Sequence, residues 1–347
     1  MNVAQRGTSG SGKTSSGYYA TDRWGITIDS MGTWTVSQET DAPDGTGLTN
    51  STKYLCTTAD ASPASGDASI CYTRFEGQDL QYLEKGTSAA KSVTVSFWVK
   101  SNTTGTYILE LYDNDNARHI NKSYTINSSA TWEKKQITFE GDTNSGDTFG
   151  NDSNLSLIVN WWLGAGSAYQ SGTLATSWQE YATADRVVGQ VNVAGANNNY
   201  FQITGVQLEV GSVATEFEHR SFAEELTLCQ RYFEYVSPCG VHAHPVWAYT
   251  TGGASTRLYF AVEKRTRTYS AGTEGTFGGS ATNHRLYYNG AYRTFTGFGI
   301  AGDTSKAFNS ARLDFTGITG VPGGSAAGYY NVGSDVLTSH VYVDDEL

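Results

Sequence analysis

The stretch GTSGSGKT, residues 7–14, completes the pattern G-x-x-x-x-G-K-[ST], in which backbone N–H groups and a lysine cradle nucleotide phosphates. That chemistry needs a buried strand leading in and a helix starting at the lysine, whose first N–H groups then point at the phosphates. The sequence supplies neither. Only residues 1–6 precede Gly7, and Asn2, Gln5 and Arg6 make them a poor buried strand. The following SSGYYATDRW has no helical period and carries Gly17 where the first turn would form. The string is expected to be a Gly/Ser/Thr-rich loop that holds Lys13 and binds no phosphate.

Other chemistry-bearing residues are sparse. YDNDNAR offers Asp113 and Asp115 as oxygen ligands for a hard cation. It lacks the mid-loop glycine and closing bidentate glutamate of an EF-hand loop, so a polar hairpin turn stands as the alternative. His242 and His244 would share a strand face, a spacing that suits a transition metal. No third ligand adjoins them and Pro245 interrupts the strand, so a chance pair in a connector is expected. Four cysteines, Cys56, Cys71, Cys229 and Cys239, are too few for a disulfide scaffold, and no C-x-x-C occurs. YLCTT and SICYT flank the loop ADASPASGDA; as a hairpin they would set Cys56 opposite Cys71, with packed thiols as the plainer reading. Neither G-x-S-x-G nor H-E-x-x-H is present, and no catalytic residue is assigned. Glycosidase carboxylates pair in space and leave no motif, so a glycan depolymerase is the trailing alternative.

The elements that must position these residues are strands. Aromatics make up 13% of the 347 residues and charged residues only 16%, with Gly abundant and Pro scarce, a composition that suits short strands joined by turns. SVTVSFWVKS alternates strictly, and TGTYILELYD, TWEKKQITFEG, NLSLIVNWWLG and NYFQITGVQLEVG continue the series. The expected fold is all-β: a jelly-roll β-sandwich, a short connecting helix and a smaller C-terminal β-sandwich domain. The expected boundaries are an N-terminal arm over 1–17, the sandwich over 18–220, the helix over 221–236 and the second domain over 237–347. In SFAEELTLCQRYFEYV, Ser221 and Glu224 form a capping box, and Phe222, Leu226, Cys229, Phe233 and Val236 recur as one apolar stripe. YYNGAYRTF carries the hairpin signal Asn289-Gly290.

Alternation sorts the aromatics. If Val93, Val95 and Phe97 face the core, Trp98 faces out. By the same count Glu110, Tyr112, Asn160 and Trp162 leave the core face of their strands. Beside Gln202 and Gln207 these rings could form a sugar-binding face, with aromatic planes stacking on pyranose C–H groups and amides bonding hydroxyls. The alternative is that they meet a loop, a domain or another subunit.

The formal charge of −11 repels phosphate backbones, so nucleic acid is not an expected partner. No apolar run reaches the roughly 20 residues that span a bilayer, and the N-terminus has no secretory signal pattern.

The stretch from Ile203 to Val236, ITGVQLEVGSVATEFEHRSFAEELTLCQRYFEYV, resembles a signature of tailed-bacteriophage structural proteins, where it closes a jelly-roll domain similar to carbohydrate-binding modules. NVAQRGTS…DRW resembles that domain's opening and SVTVSFWVKSNTTGTY…TWEKKQITFEGDT its central strands, so the likeness covers about two-thirds of the chain. Glu216 stands where the family usually has proline. The resemblance implies a non-enzymatic virion protein, a tail fibre or receptor-binding component that attaches to host-surface glycans. It also implies a homo-oligomer, most simply a trimer, among other virion proteins, assembled in the host cytoplasm. No cofactor is implied beyond a structural calcium, for which Asp113 and Asp115 are the candidates. The alternative is a capsid decoration protein or fibre adaptor, favoured by the lack of a counterpart to the anchoring region of tail fibres.

Overall fold

The computed structural model describes residues 1–235, 244–265, 276–278, 284–289, 291–300, 310–331, 342–344 and 346. The chain divides into two units, Met1–Phe222 and Ala223–Glu346, and the architecture is nearly all β. No helix among the described residues is long and apolar enough to cross a membrane.

The first unit contains β1 (Ser9–Lys13), β2 (Gly17–Tyr18), β3 (Gly25–Asp29), β4 (Thr33–Glu39), β5 (Ser51–Thr58), β6 (Ala68–Glu76) and β7 (Val93–Ser101). It continues with β8 (Gly105–Asp113), β9 (Arg118–Ile126), β10 (Glu133–Phe139), β11 (Leu155–Ala165), β12 (Gln179–Glu180) and β13 (Tyr200–Val210). They build a six-stranded sheet in the order β1-β4-β5-β13-β7-β10 and a seven-stranded sheet in the order β12-β9-β8-β11-β6-β3-β2. Strands alternate in side-chain direction, and one face of each sheet packs into the shared core. Val93, Val95, Phe97 and Val99 of the first sheet meet Leu157, Val159, Trp161 and Leu163 of the second in one continuous core. Trp161 packs on Phe97 and Trp24 at ring-centre distances of 5.7 and 5.3 Å, while Tyr107 stacks on Tyr124 at 5.6 Å.

Three sequence expectations change here. Residues 1–17 are no separate arm. Ser9–Lys13 is a strand, hydrogen-bonded to β4, so Lys13 ends an edge strand rather than lying in a loop. No helix follows it, and its ammonium lies 4.5 Å from the centre of the Tyr19 ring. Cys56 and Cys71 do not face each other across a hairpin: β5 belongs to the first sheet and β6 to the second, and both thiols are free and buried. Burial pushes the Cys71 thiol far above its ordinary range, so it stays protonated. The connection ADASPASGDA thus crosses between sheets, which alternation alone does not distinguish from a hairpin turn.

In the second unit the helix α1 is short, Phe222–Gln230, and the chain re-enters a strand at β14 (Phe233–Tyr235). The apolar stripe is therefore broken. Phe222 is exposed, Cys229 is the buried residue of the helix, and Phe233 is buried in a strand. Val236 lies outside the described residues. At the helix end the buried Lys264 bonds the Gln230 carbonyl and, beyond it, the Glu234 carboxylate of β14, so a cation satisfies a helix C-terminal carbonyl. The remaining strands are β15 (His244–Thr250), β16 (Gly253–Tyr259), β17 (Thr276–Gly278), β18 (His284–Tyr288), β19 (Ala291–Arg293), β20 (Gly297–Ile300), β21 (Ser310–Thr316), β22 (Ser325–Asn331) and β23 (Tyr342–Asp344). They form a sheet β14-β23-β17 and a sheet β19-β18-β22-β15-β16-β21-β20. Asn289 follows β18 with φ 48°, and β18 pairs with β19, the hairpin that Asn289-Gly290 encodes. His244 opens β15, while His242 and Cys239 lie outside the described residues.

Behind β11 the chain turns at Gly166, whose N–H bonds the Asp67 carbonyl at 2.7 Å. A Cβ there would sit 1.8 Å from the Ala64 carbonyl oxygen, so only glycine lets these backbones approach. Gly166→Ala is expected to destabilise the first unit by about 1–3 kcal/mol, the usual cost of overpacking. Calorimetry checks this; an unchanged melting temperature would mean that the two backbones do not pack as described.

Candidate functional site

The outer face of the seven-stranded sheet carries three cross-strand rows. Tyr112 pairs with His119 on one side and Ile158 on the other, and Ile158 with Arg74. The next row is Asn121, Glu110, Asn160, Tyr72 and Gly25. The third is Ser123, Ile108, Trp162 and Ile70; here Ile108 and Trp162 are linked through a side chain. The Gln190 side chain accepts from the Ile108 N–H at 2.7 Å and donates to the Trp162 carbonyl at 2.9 Å, replacing a ladder rung between β8 and β11.

A segment over 166–194 returns across this face. It is folded on itself by Asp185, whose carbonyl accepts from Ala175 N–H at 3.0 Å and whose carboxylate accepts from Thr173 N–H at 2.9 Å. It buries Ile108, Trp162 and Ile70 of the third row, while Ser123 at the end of that row is exposed. Trp162 packs with Ile70, Ile108, Ala165 and Val187, a second small core outside the sandwich. In the first row Tyr112, Ile158 and Arg74 stay half-buried while His119 is fully buried, and Tyr181 beside Tyr112 is 40% exposed.

The centre of the site is Glu110, fully buried on the middle row. Arg186 from the covering segment grips it with two bonds, Nε to Oε1 at 2.7 Å and Nη2 to Oε2 at 2.6 Å. Asn160 Nδ2 and Trp162 Nε1 also donate to Oε2, at 2.9 and 3.1 Å, and His119 Nδ1 lies 3.5 Å from Oε1. The guanidinium carbon sits 4.7 Å from the Trp162 ring centre, 5.2 Å from Tyr181, 5.7 Å from Tyr112 and 5.9 Å from Tyr169, an aromatic cage around a cation. Burial alone would raise the Glu110 pKa; the charge of Arg186 and the bonds from His119 and Arg186 outweigh it and hold it at about 2. The carboxylate is therefore ionised and enclosed by this chain's own donors.

The seven residues expected to share one face divide between two sheets. Glu110, Tyr112, Asn160 and Trp162 come together here, but Trp162 is covered instead of exposed, because the 166–194 segment lies on it. Trp98 is half-buried on the outer face of the six-stranded sheet, opposite Thr204 and Lys134. Gln202 is buried there and donates to Ser51 Oγ at 2.7 Å. Gln207 bonds Thr215 Oγ1 at 3.2 Å and accepts from Glu218 N–H at 2.8 Å, tying down the strand's exit. Both amides hold loops. Sequence reasoning missed Arg186, Tyr181 and Tyr169, since YATADRVVGQ and GSAYQSG have no period to read. Arg74 was readable by alternation from RFE but carried no motif.

Asp113 and Asp115 do not fit calcium. Asp113 is buried and ion-paired with Lys85 at 2.6 Å, and its oxygens accept from the N–H groups of Asp115 and Asn116 and from Asn116 Nδ2. Lys85 also meets Asp142 at 3.1 Å, and Arg118 meets Asp142 and Asp147 at 2.7 and 3.1 Å. Asp115 accepts from Gly150 N–H at 2.9 Å. The chain's own cations thus occupy Asp113, Asp142 and Asp147, and among the described residues no group of three or more His, Cys, Asp or Glu is arranged to hold a metal ion.

No protein-family profile and no curated protein matches the chain. Solved structures superpose partially. The enzymatically active domain of bacteriophage CBA120 tailspike protein 4 is 13% identical with a TM-score of 0.31, covering 54% of this chain and 19% of that one. The family 11 carbohydrate-binding module from Clostridium thermocellum is 10% identical with a TM-score of 0.29, covering 60% and 98%. The CBM22-1 xylan-binding domain from Paenibacillus barcinonensis Xyn10C is 11% identical with a TM-score of 0.26, covering 55% and 87%.

Glu110→Gln leaves Arg186 without its countercharge and is expected to cost about 3–5 kcal/mol, as when a buried pair is broken. The pH dependence carries the sign. The folded pKa is about 2 against an ordinary 4.5, so this stabilisation is complete above about pH 4.5 and lost as pH falls towards 2. The gap in melting temperature between wild type and Glu110→Gln should be widest near neutrality and close in acid. A constant gap would show that Glu110 is not held ionised by Arg186.

Proposed function

We propose that the first unit is a glycan-binding sandwich of a virion attachment protein, with sugar lying along the open row Tyr112, Ile158 and Arg74 beside Tyr181. The carrying observation is the cage around Arg186. It fixes Tyr112 and Tyr181 edge to face, 5.8 Å between ring centres, at the border between the covered and open halves of the sheet. Flat rings held in fixed orientation stack on pyranose C–H groups. Arg186 Nη1 also donates to the Tyr181 hydroxyl at 3.3 Å, so the ring is oriented before any ligand arrives.

We read binding, not catalysis. A general acid must reach its substrate and hold a proton near neutral pH. Glu110 is enclosed, and its pKa of about 2 leaves it without one. The virion role rests on the signature in residues 203–236, and the adaptor or decoration role competes with attachment for the same surface.

Tyr112→Ala and Tyr181→Ala should each weaken binding to host cells roughly 2- to 30-fold, about 0.5–2 kcal/mol per ring contact. Melting temperature should move far less than for a core Phe→Ala, which costs about 3–5 kcal/mol. Cell-binding assays and calorimetry on the same variants check this. Stable variants that bind cells normally but fail to enter particles would assign the face to another virion protein. Release of new reducing ends from host polysaccharide by the wild type would make the protein an enzyme.

A further inference from the structure

Lys85 carries its ammonium into the first unit. Its side chain is 4% exposed, and those of Asp113 and Asp142 are 0% and 3% exposed. The ring centres of Phe149 and Trp178 each stand 5.3 Å from its nitrogen, and Leu83, Leu111 and Leu157 line the same space. Nζ lies 2.6 Å from Asp113 Oδ2, 3.1 Å from Asp142 Oδ2 and 2.6 Å from the Asp147 carbonyl oxygen. The other oxygen of Asp113, Oδ1, accepts from the backbone N–H groups of Asp115 and Asn116 at 2.9 and 3.2 Å. Asp142 is held by Arg118, Nε to Oδ2 at 2.7 Å and Nη2 to Oδ1 at 3.2 Å. Burial raises the Asp142 pKa, but the bonds from Arg118, the Asn144 N–H and Lys85 outweigh it, so this carboxylate is ionised and can accept a proton. An amine against a carboxyl group, a second carboxylate on the amine and two N–H donors on the far oxygen are the parts of an acyl transfer: nucleophile, base and oxyanion holder.

We propose that Lys85 and Asp113 condense into an intramolecular amide, with Asp142 as the proton carrier. An ion pair is costly in a water-poor site, and moving one proton from Nζ to Asp113 Oδ2 leaves a neutral amine facing a neutral acid. Nζ then attacks Cγ. The Nζ–Cγ bond forms, and an electron pair of the carbonyl moves onto Oδ1, where the two N–H groups hold it. Asp142 takes a second proton from Nζ and passes it to Oδ2. The carbonyl re-forms, the Cγ–Oδ2 bond breaks, and Oδ2 leaves with both protons as water. The third ammonium proton stays on the amide nitrogen, within reach of the Asp147 carbonyl. No oxidant, reductant or cofactor enters. The step removes one buried charge of each sign, and Arg118 remains as the partner of Asp142 and Asp147. Contact of the reacting groups in the folded chain supplies the proximity that a free amine and acid in water lack. Lys85 precedes β7 of the six-stranded sheet and Asp113 ends β8 of the seven-stranded sheet, so the bond closes a loop containing one strand of each.

The test weighs the full wild-type chain by intact-mass spectrometry under denaturing conditions and then digests it with trypsin. The mass should be lower by one water than the sequence requires. Trypsin should fail to cut after Lys85 and should release residues 75–91 joined to residues 101–118. Lys85→Arg keeps the charge but cannot form this amide, and should have its full mass. Asp142→Asn should form the link roughly 100-fold more slowly, as when a general base is lost, and be isolated mostly unlinked. The wild-type measurement needs no variant, so it decides even where a substitution prevents folding. The proposal is overturned if the folded wild type has its full mass and no joined peptide appears. It is equally overturned if the water loss persists in Lys85→Arg, which would place it in a succinimide at an aspartate. Complete linkage in Asp142→Asn would overturn the role given to Asp142.

Discussion

A carboxylate moved from water into a protein interior loses several kcal/mol of hydration unless an opposite charge and hydrogen bonds replace it. Glu110 stands on the middle of a strand, so its burial is compatible with folding only when Arg186 arrives from 76 residues away along the chain. That requirement fixes the long excursion after β11 onto the sheet. Asn160 and Trp162, neighbours of Glu110 on the next strand, complete the shell and tie the indole to the same oxygen. Once the segment is pinned, Trp162, Ile70 and Ile108 are covered and gain apolar burial, while Tyr112, Ile158 and Arg74 stay half-buried. One ion pair thus draws the border between structural and available surface.

The strands were legible because a two-sided sheet writes its faces into alternate residues. The core positions of β7 and β11 follow directly from SVTVSFWVKS and NLSLIVNWWLG. Which sheet a strand joins is not written there. YLCTT and SICYT read as hairpin partners and end in different sheets, because the signal is local and the partner choice is a matter of the whole core. Alternation likewise placed Trp162 off the main core correctly, but could not say that residues without any period would return to cover it. The helix was over-extended for a related reason. Apolar spacing continued through Phe233, yet Glu234 and Lys264 form a buried pair that takes the chain into β14.

The two units use outward aromatics under different constraints. In the first, four rings surround a cation that cannot leave, and their orientation is set by that cation. In the second, Trp247 and Tyr249 rest on serine, alanine and glycine, and the backbone itself is the support.

Lys85 joins β8 to the loop at Asp142 by standing between two carboxylates. A dissociable ion in that position would link folding to its free concentration, with stability rising logarithmically as the ion is supplied. A tethered ammonium has no such dependence. Its local concentration is set by the chain, so dilution, phosphate or a chelator cannot strip it from between Asp113 and Asp142. This corner of the sandwich is therefore held by a cation that the chain itself carries.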